Sequence, residues 1–270
     1  MRLTVRHSTL YKFGQPMRFV TQSHRLTPAM NGCQTVVDWK ISAEGAAFGA
    51  GFVDGAGDAV NTMTVQGPVE SIAVLVEGTV DTSDTAGMLR DHREIISPRV
   101  YLQSTRAIEA GRPLLQLRDA ALEGVEEDRP LERSHRLANA VADAIAYEPG
   151  STHAHTTAAE ALEQGKGVCQ DLTHALIAVA HAAGLPARYV TGYLLTGDDT
   201  EAGEASHAWA ELFVGELGWI GFDPANRCCP DERYIRLGSG RDARDAAPIR
   251  GMSRGGGTEA MDVDVVVAQQ

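Results

Sequence analysis

Apolar and polar residues alternate over the first eighty positions. Leu3, Val5 and His7 alternate with Arg2, Thr4 and Arg6, and β-rich runs follow at 35–41, 60–65 and 72–80. Gly45, Gly49, Gly51, Gly55, Gly57 and the pair Gly67-Pro68 punctuate these runs. A period of two with frequent turn residues predicts short antiparallel strands packed as a β-sandwich.

Near residue 90 this pattern stops. Ser97-Pro98 and Arg112-Pro113 interrupt any regular element, a short helix fits 114–122, and 123–129 is acidic. From Pro130 the period changes. Leu137, Val141 and Ile145 lie four apart, which puts them on one helical face. Tyr147-Glu148-Pro149-Gly150 ends that helix. A second helix is predicted over 157–164, stopped by Gly165-Lys166-Gly167, and a third over 169–183. The third carries Leu172, Leu176, Val179 and Ala180 as its apolar stripe, and Gly184-Leu185-Pro186 stops it. Strands return at 187–195, 207–214 and 219–223. After a glycine-rich loop at 251–257, residues 261–267 alternate around Asp262 and Asp264 as a last strand. The expected class is α+β: an N-terminal antiparallel β-sandwich domain at 1–95, a connector at 96–130, and a core of helices on an antiparallel sheet at 131–270.

Composition narrows the function. The 270 residues are 43% hydrophobic and 22% charged, so the chain can bury a full core. Lys+Arg 24 against Asp+Glu 36 gives a net charge of -12, and no basic patch offsets it. Such a surface repels phosphate backbones and anionic lipid, which excludes nucleic acid and membrane as expected partners. No apolar run approaches the ~20 residues that span a bilayer. The alternating N-terminus lacks the apolar core of a secretory signal, so a reducing cytoplasm is the expected location. Cys33, Cys169, Cys228 and Cys229 are too few for a disulfide framework and include no C-x-x-C pair for zinc.

The chemistry concentrates in the second half. Cys169 follows Gly165-Lys166-Gly167-Val168 at the predicted start of a helix. A thiol there feels the positive end of the helix dipole, which favours thiolate, and the free N–H groups of that end can hold an oxyanion. A cysteine nucleophile also needs a base, and His207 lies 38 residues on, opening a strand (Ser206-His207-Ala208-Trp209). An orienting carboxylate is offered by Asp223 at the end of the next strand, in Gly221-Phe222-Asp223-Pro224. Taken singly, each has a plain structural reading: a buried cysteine in an Ala-rich helix, a surface histidine, a turn former before proline. Their order on a helix start, one strand and the next strand is what points to chemistry.

These segments closely resemble the bacterial transglutaminase-like cysteine peptidase family, within the papain-like transglutaminase-core superfamily. The resemblance rests on 165–193 (GKGVCQDLTHALIAVAHAAGLPARYVTGY), 206–226 (SHAWAELFVGELGWIGFDPAN) and 231–251 (DERYIRLGSGRDARDAAPIRG), within a span of about 130–251. It implies a papain-like core behind a β domain, with Cys169 as nucleophile, His207 as base and Asp223 as orienter. Ala225 stands where the family usually has threonine. The resemblance implies thiol acyl transfer on a peptide or protein amide, releasing the acyl group to water or to an amine acceptor. Hydrolysis is the leading expectation, transamidation the second, and a non-catalytic peptide-binding module, which should lack one of the three residues, the third. A side-chain oxyanion donor stays open among Gln164, Gln170 and Tyr147.

The remaining candidates have structural readings. His174 and His181 lie seven apart on one helix, ~10 Å along its axis, too far to share a metal. His153 and His155 fall in a Ser/Thr-rich loop. Trp209 and Trp219 fit packing across a hairpin, and Cys228 and Cys229 fit small half-buried positions. Arg233, Arg236, Arg241 and Arg244 interleave with Asp231, Glu232, Asp242 and Asp245 as a salt-bridged face. No D-x-[DN]-x-[DN]-G calcium loop is present, and Asp198-Asp199-Thr200-Glu201 fits a solvated turn. The expectation is metal-independent chemistry with no cofactor.

Overall fold

The structure, a computed structural model, describes residues 1–197 and 205–270; the acidic turn at 198–201 lies outside the described residues. Two long strands, β1 (Arg2–His24) and β5 (Ala59–Thr82), build the N-terminal domain. They pair antiparallel from Arg2↔Asp81 to His24↔Asn61. Between them in sequence come β2 (Gln34–Ala43), β3 (Ala46–Phe48) and β4 (Phe52–Val53), all against β5. The expected short strands are therefore merged, and Gly67-Pro68 lies inside β5 instead of at a turn. The register of the ladder shifts between Lys12 and Phe19, where a proline without an N–H is tolerated. A Cβ on Gly67 would come 2.1 Å from the Met17 carbonyl oxygen, so only glycine fits this approach. Buried residues on both sides of the break, among them Phe13, Val20, Met63 and Ile72, form one cluster.

The core follows. Its helices are α1 (Arg112–Ala121), α2 (Pro130–Ala144), α3 (Ala158–Gln164) and α4 (Cys169–Ala182). The two-residue strands β6 (Ala146–Tyr147) and β7 (Lys166–Gly167) pair parallel between them. The core sheet takes β8 (Ala187–Leu194), β9 (Ser206–Phe213), β10 (Trp219–Phe222) and β11 (Tyr234–Gly240) in the order β10-β9-β8-β11. Every residue of α4 from Asp171 to Ala180 is buried, the polar Asp171, Thr173 and His174 among them. One side of α4 packs on Ala187, Ala208, Ala210 and Leu212 of the sheet, and α1, α2 and α3 cover the rest. The connector joins this core: Ile108 and Leu114 are fully buried in the same cluster.

The chain then returns to the N-terminal sheet. β12 (Ile249–Arg254) and β13 (Glu259–Gln269) both pair with β1, opposite β5. The expected core at 131–270 thus ends near 248, and the last strand belongs to the other domain. Val265 and Val267 close over Leu3 and Val5 and reach Ile235 and Leu237 of the core, so this strand seals an edge and an interface together. Part of the expected loop at 251–257 is β12, and the chain reverses at Gly255-Gly256-Gly257.

The face of the core sheet turned away from α4 carries charge. Alternation on β8, β9 and β11 sends Arg188, Glu211 and Arg236 to that side, all buried. Glu211 receives Arg188 Nε at 2.7 Å and Arg236 Nε at 2.9 Å. Arg236 also reaches Asp58 of the N-terminal domain at 2.6 Å. Arg188 contacts Glu94, which accepts the Trp219 indole N–H at 2.6 Å. The Arg188 guanidinium lies 4.1 Å from a Trp219 ring centroid. Of the expected salt-bridged face, Arg233 pairs with Asp231 and Arg241 with Asp245, whereas β11 directs Arg236 under the N-terminal domain to Glu211 and Asp58.

Candidate active site

The parallel ladder of β6 and β7 carries the chain into α4. Ala146 N–H donates to the Gly165 carbonyl at 2.9 Å and Glu148 N–H to that of Gly167 at 2.8 Å. Val168 is the N-cap, and its N–H donates to Asp171 Oδ2 at 2.8 Å. The same oxygen accepts the Thr152 hydroxyl at 2.5 Å, tying the 148–157 loop to the helix start. A Cβ on Gly167 would lie 2.7 Å from Asp171 Cβ, so glycine is what lets this carboxylate fold back. The cap leaves the half-buried Cys169 as the first helical residue. Its N–H and that of Gln170 precede the first turn that could bond them. Positive potential collects there.

His207 opens β9 and reaches this point from the sheet. The Cys169 side chain is near enough to its ring to favour the imidazolium. The opposite contact is Nε2 donating to Asp223 Oδ2 at 2.6 Å. Asp223 follows β10 and is almost fully buried. Its Oδ1 accepts the N–H groups of Ala225 at 2.9 Å and Asn226 at 3.2 Å. Its Oδ2 also accepts Asn226 Nδ2 at 2.7 Å and the Tyr234 hydroxyl at 2.8 Å. The backbones of Asp223 and Cys228 exchange two hydrogen bonds that close this turn. Asp223 therefore caps its own turn and also holds the imidazole.

Electrostatics follow the geometry. Burial disfavours a charged His207, but the hydrogen bond to Asp223 and the nearby Cys169 outweigh it and raise the ring to about 9. Burial pushes the Asp223 carboxyl up, and hydrogen bonds led by that from His207 more than reverse this, leaving it below its ordinary value. The site thus places an imidazolium between a carboxylate and a thiol at a helix start, the pairing that cysteine-nucleophile chemistry uses.

The structure brings together Cys169, His207 and Asp223, which lie 54 residues apart in sequence from first to last. It separates the other candidates. Gln164 is exposed at the end of α3, and Gln170 donates to the Ala154 carbonyl at 3.3 Å. Tyr147 lies level with Gly167 across the β6–β7 ladder, two residues from Cys169. His174 accepts the Ala243 N–H at 3.1 Å, and burial lowers it to about 4. His181 contacts the Ala187 carbonyl at 2.9 Å, and His153 and His155 are exposed. Trp209 stacks near His207 at 6.5 Å, whereas Trp219 covers Arg188. Among the described residues, no group of three or more His, Cys, Asp or Glu side chains could hold a metal ion. Tyr234 is the site residue that sequence reasoning missed. Its stretch is visible in sequence, but its place beside Asp223 comes from the crossover that sets β11 at the edge of the sheet.

Comparison with known proteins places the chain in a family. The transglutaminase-like superfamily profile matches residues 119–224, and the bacterial transglutaminase-like N-terminal region matches residues 3–81. An uncharacterised protein of Mycobacterium leprae is 30% identical over 285 residues, covering 98% of this chain and 97% of that protein. One from Mycobacterium tuberculosis is 32% identical over 276 residues, covering 93% and 87%. A proposed cysteine protease from Cytophaga hutchinsonii has the same fold, with a TM-score of 0.75 at 21% identity over 99% of this chain and 90% of that one. The chain belongs to the transglutaminase-like superfamily, with a bacterial transglutaminase-like N-terminal region ahead of the core that carries Cys169, His207 and Asp223.

Proposed function

We propose that the protein is a cysteine-nucleophile acyl-transfer enzyme that hydrolyses peptide or amide bonds through a thioester. The observation that carries this reading is one buried imidazole hydrogen-bonded to the Asp223 carboxylate and electrostatically coupled to Cys169 at the start of α4. Cys169 sulfur attacks the amide carbonyl, and the developing oxyanion meets the N–H groups at the start of α4. The His207 imidazolium gives its proton to the leaving amine, so the C–N bond breaks and an acyl-thioester remains. His207, now neutral, takes a proton from water, whose oxygen attacks the thioester and releases the acid and the thiolate. Asp223 holds Nε2 and with it the ring orientation throughout. The four free thiols support a reducing, cytoplasmic setting.

Transamidation uses the same groups with an amine in place of water. It is favoured by the 36% identity over 72 residues to a protein-glutamine gamma-glutamyltransferase of Pseudomonas aeruginosa, a match covering 24% of this chain and 11% of that protein. The two readings separate in one reaction. Glutamine-containing peptides are incubated in ¹⁸O-water with and without a dansylated primary amine, and products are weighed by mass spectrometry. Hydrolysis predicts ¹⁸O-labelled acid as the main product even with amine present. Dansyl amide exceeding acid would instead establish transamidation.

A further inference from the structure

We propose that Tyr234 is a positioning residue of this site: its phenol O–H competes with the His207 ring for one oxygen of Asp223 and so loosens the hold of the carboxylate on the imidazolium. The inference rests on the acyl-transfer reading of Cys169 and His207 and adds to it a residue that sets how readily His207 gives up its proton.

Tyr234 opens β11, with its ring 5.9 Å from that of His207 and 5.5 Å from that of Trp209. Its hydroxyl lies 2.8 Å from Asp223 Oδ2 and 3.3 Å from Cys228 Sγ. An ionised carboxylate only accepts, so the single phenol hydrogen goes to Asp223 and the Cys228 thiol must donate to the phenol oxygen. The result is a directed chain, Cys228 to Tyr234 to Asp223, which ends on the oxygen that His207 also uses. Burial first, and then the charge of Asp223, hold the phenol well above the ordinary tyrosine range, so it stays a donor wherever the site can work.

Two consequences follow for the imidazole. A donor aimed at Oδ2 cancels part of the negative potential that stabilises the imidazolium. Removing that donor leaves Asp223 in place, because the Ala225 and Asn226 N–H groups, the Asn226 side chain and the backbone bridge to Cys228 still hold it. The charged and titratable groups around the pair are Cys169 from α4, Asp223 after β10, and Cys228, Asp231 and Arg233 on the segment leading into β11. Beside these groups, Tyr234 can lose its donor without losing shape, by conversion to phenylalanine. A general acid that protonates a leaving amine must release its proton, so a moderated grip on His207 serves turnover.

The test reads the His207 proton without any substrate. Iodoacetate is an anion, so its reaction with Cys169 falls as the neighbouring imidazolium loses its proton. The falling limb of the pH–rate profile, followed on the Cys169 peptide by mass spectrometry, therefore reports His207. In Tyr234→Phe this limb is expected to move up by roughly half to one pH unit, with the thermal midpoint recorded to confirm folding. 3-Fluorotyrosine incorporated at position 234 alone keeps the shape and donates more strongly, so it should move the limb down. A folded Tyr234→Phe whose limb stays put or moves down overturns the proposal, as does fluorotyrosine moving the limb up or not at all. A wild-type profile with no falling limb contradicts the Cys169–His207 pairing itself, which separates failure of the underlying reading from failure of this inference.

Discussion

Changing Cys169 to serine is expected to lower acyl transfer by ~10⁴-fold or more, about as far as changing it to alanine. The site is matched to sulfur. Its imidazole is held mainly protonated at neutral pH by Asp223 and the thiol itself, so it is poorly placed to pull a proton from an alcohol. Sulfur, which ionises readily beside an imidazolium, does not need that help. The thermal midpoint should stay close to wild type, because Cys169 is only half-buried and the cap on α4 is made by Asp171 and Val168. Steady-state hydrolysis of a cleaved peptide measures the effect. A serine variant retaining more than about 1% of the activity would contradict the nucleophile assignment.

The largest effect on stability is expected at Glu211. This carboxylate sits between two guanidiniums at the junction of the domains, and all three side chains are buried. Burial pushes its pKa up, but Arg236 and Arg188 pull it down to about 2. Glu211→Ala leaves both arginines under-compensated in a low-dielectric site, a change that costs about 3–5 kcal/mol. For a chain of this size that corresponds to a fall in midpoint of roughly 6–20 °C. The pH dependence has a fixed sign. A carboxylate with a lowered folded pKa contributes fully above its unfolded value of ~4.3 and loses that contribution as pH falls toward the folded value. Part of the acid unfolding between about pH 4.3 and pH 2 should therefore be absent from Glu211→Ala. Thermal melts of the two proteins from pH 7 to pH 2 test this. A variant within about 1 kcal/mol of wild type would show that the cluster does not hold the domains together.

Much of the core was legible because its elements have strong local signals. The four-residue spacing of Leu137, Val141 and Ile145 marks α2, and Gly165 and Gly184 mark the ends of α3 and α4. The candidate site was legible as a juxtaposition for a related reason: Cys169, His207 and Asp223 each sit at an element boundary that sequence can locate. What was hidden depends on pairing between distant segments. Strand period alone cannot tell two short strands from β5 with a bulge at Gly67, nor reveal that β13 returns to β1 across the whole chain. Arg236 is polar in sequence, and only the domain lying over β11 makes it a buried partner of Asp58 and Glu211. Tyr234 shows no chemistry as a residue type in a strand. Its role comes from the approach of β11 to the turn after β10.

The measurement closest to the central claim is the pH dependence of Cys169 alkylation by iodoacetamide, followed on the Cys169 peptide, in wild type and in His207→Ala. An ordinary thiol has a pKa of ~8.5 and reacts slowly below pH 7. The Cys169–His207–Asp223 arrangement predicts rapid alkylation near pH 6 in wild type and its disappearance in His207→Ala. Slow alkylation near pH 6 in wild type, or a profile unchanged by His207→Ala, would contradict an activated thiol at this site.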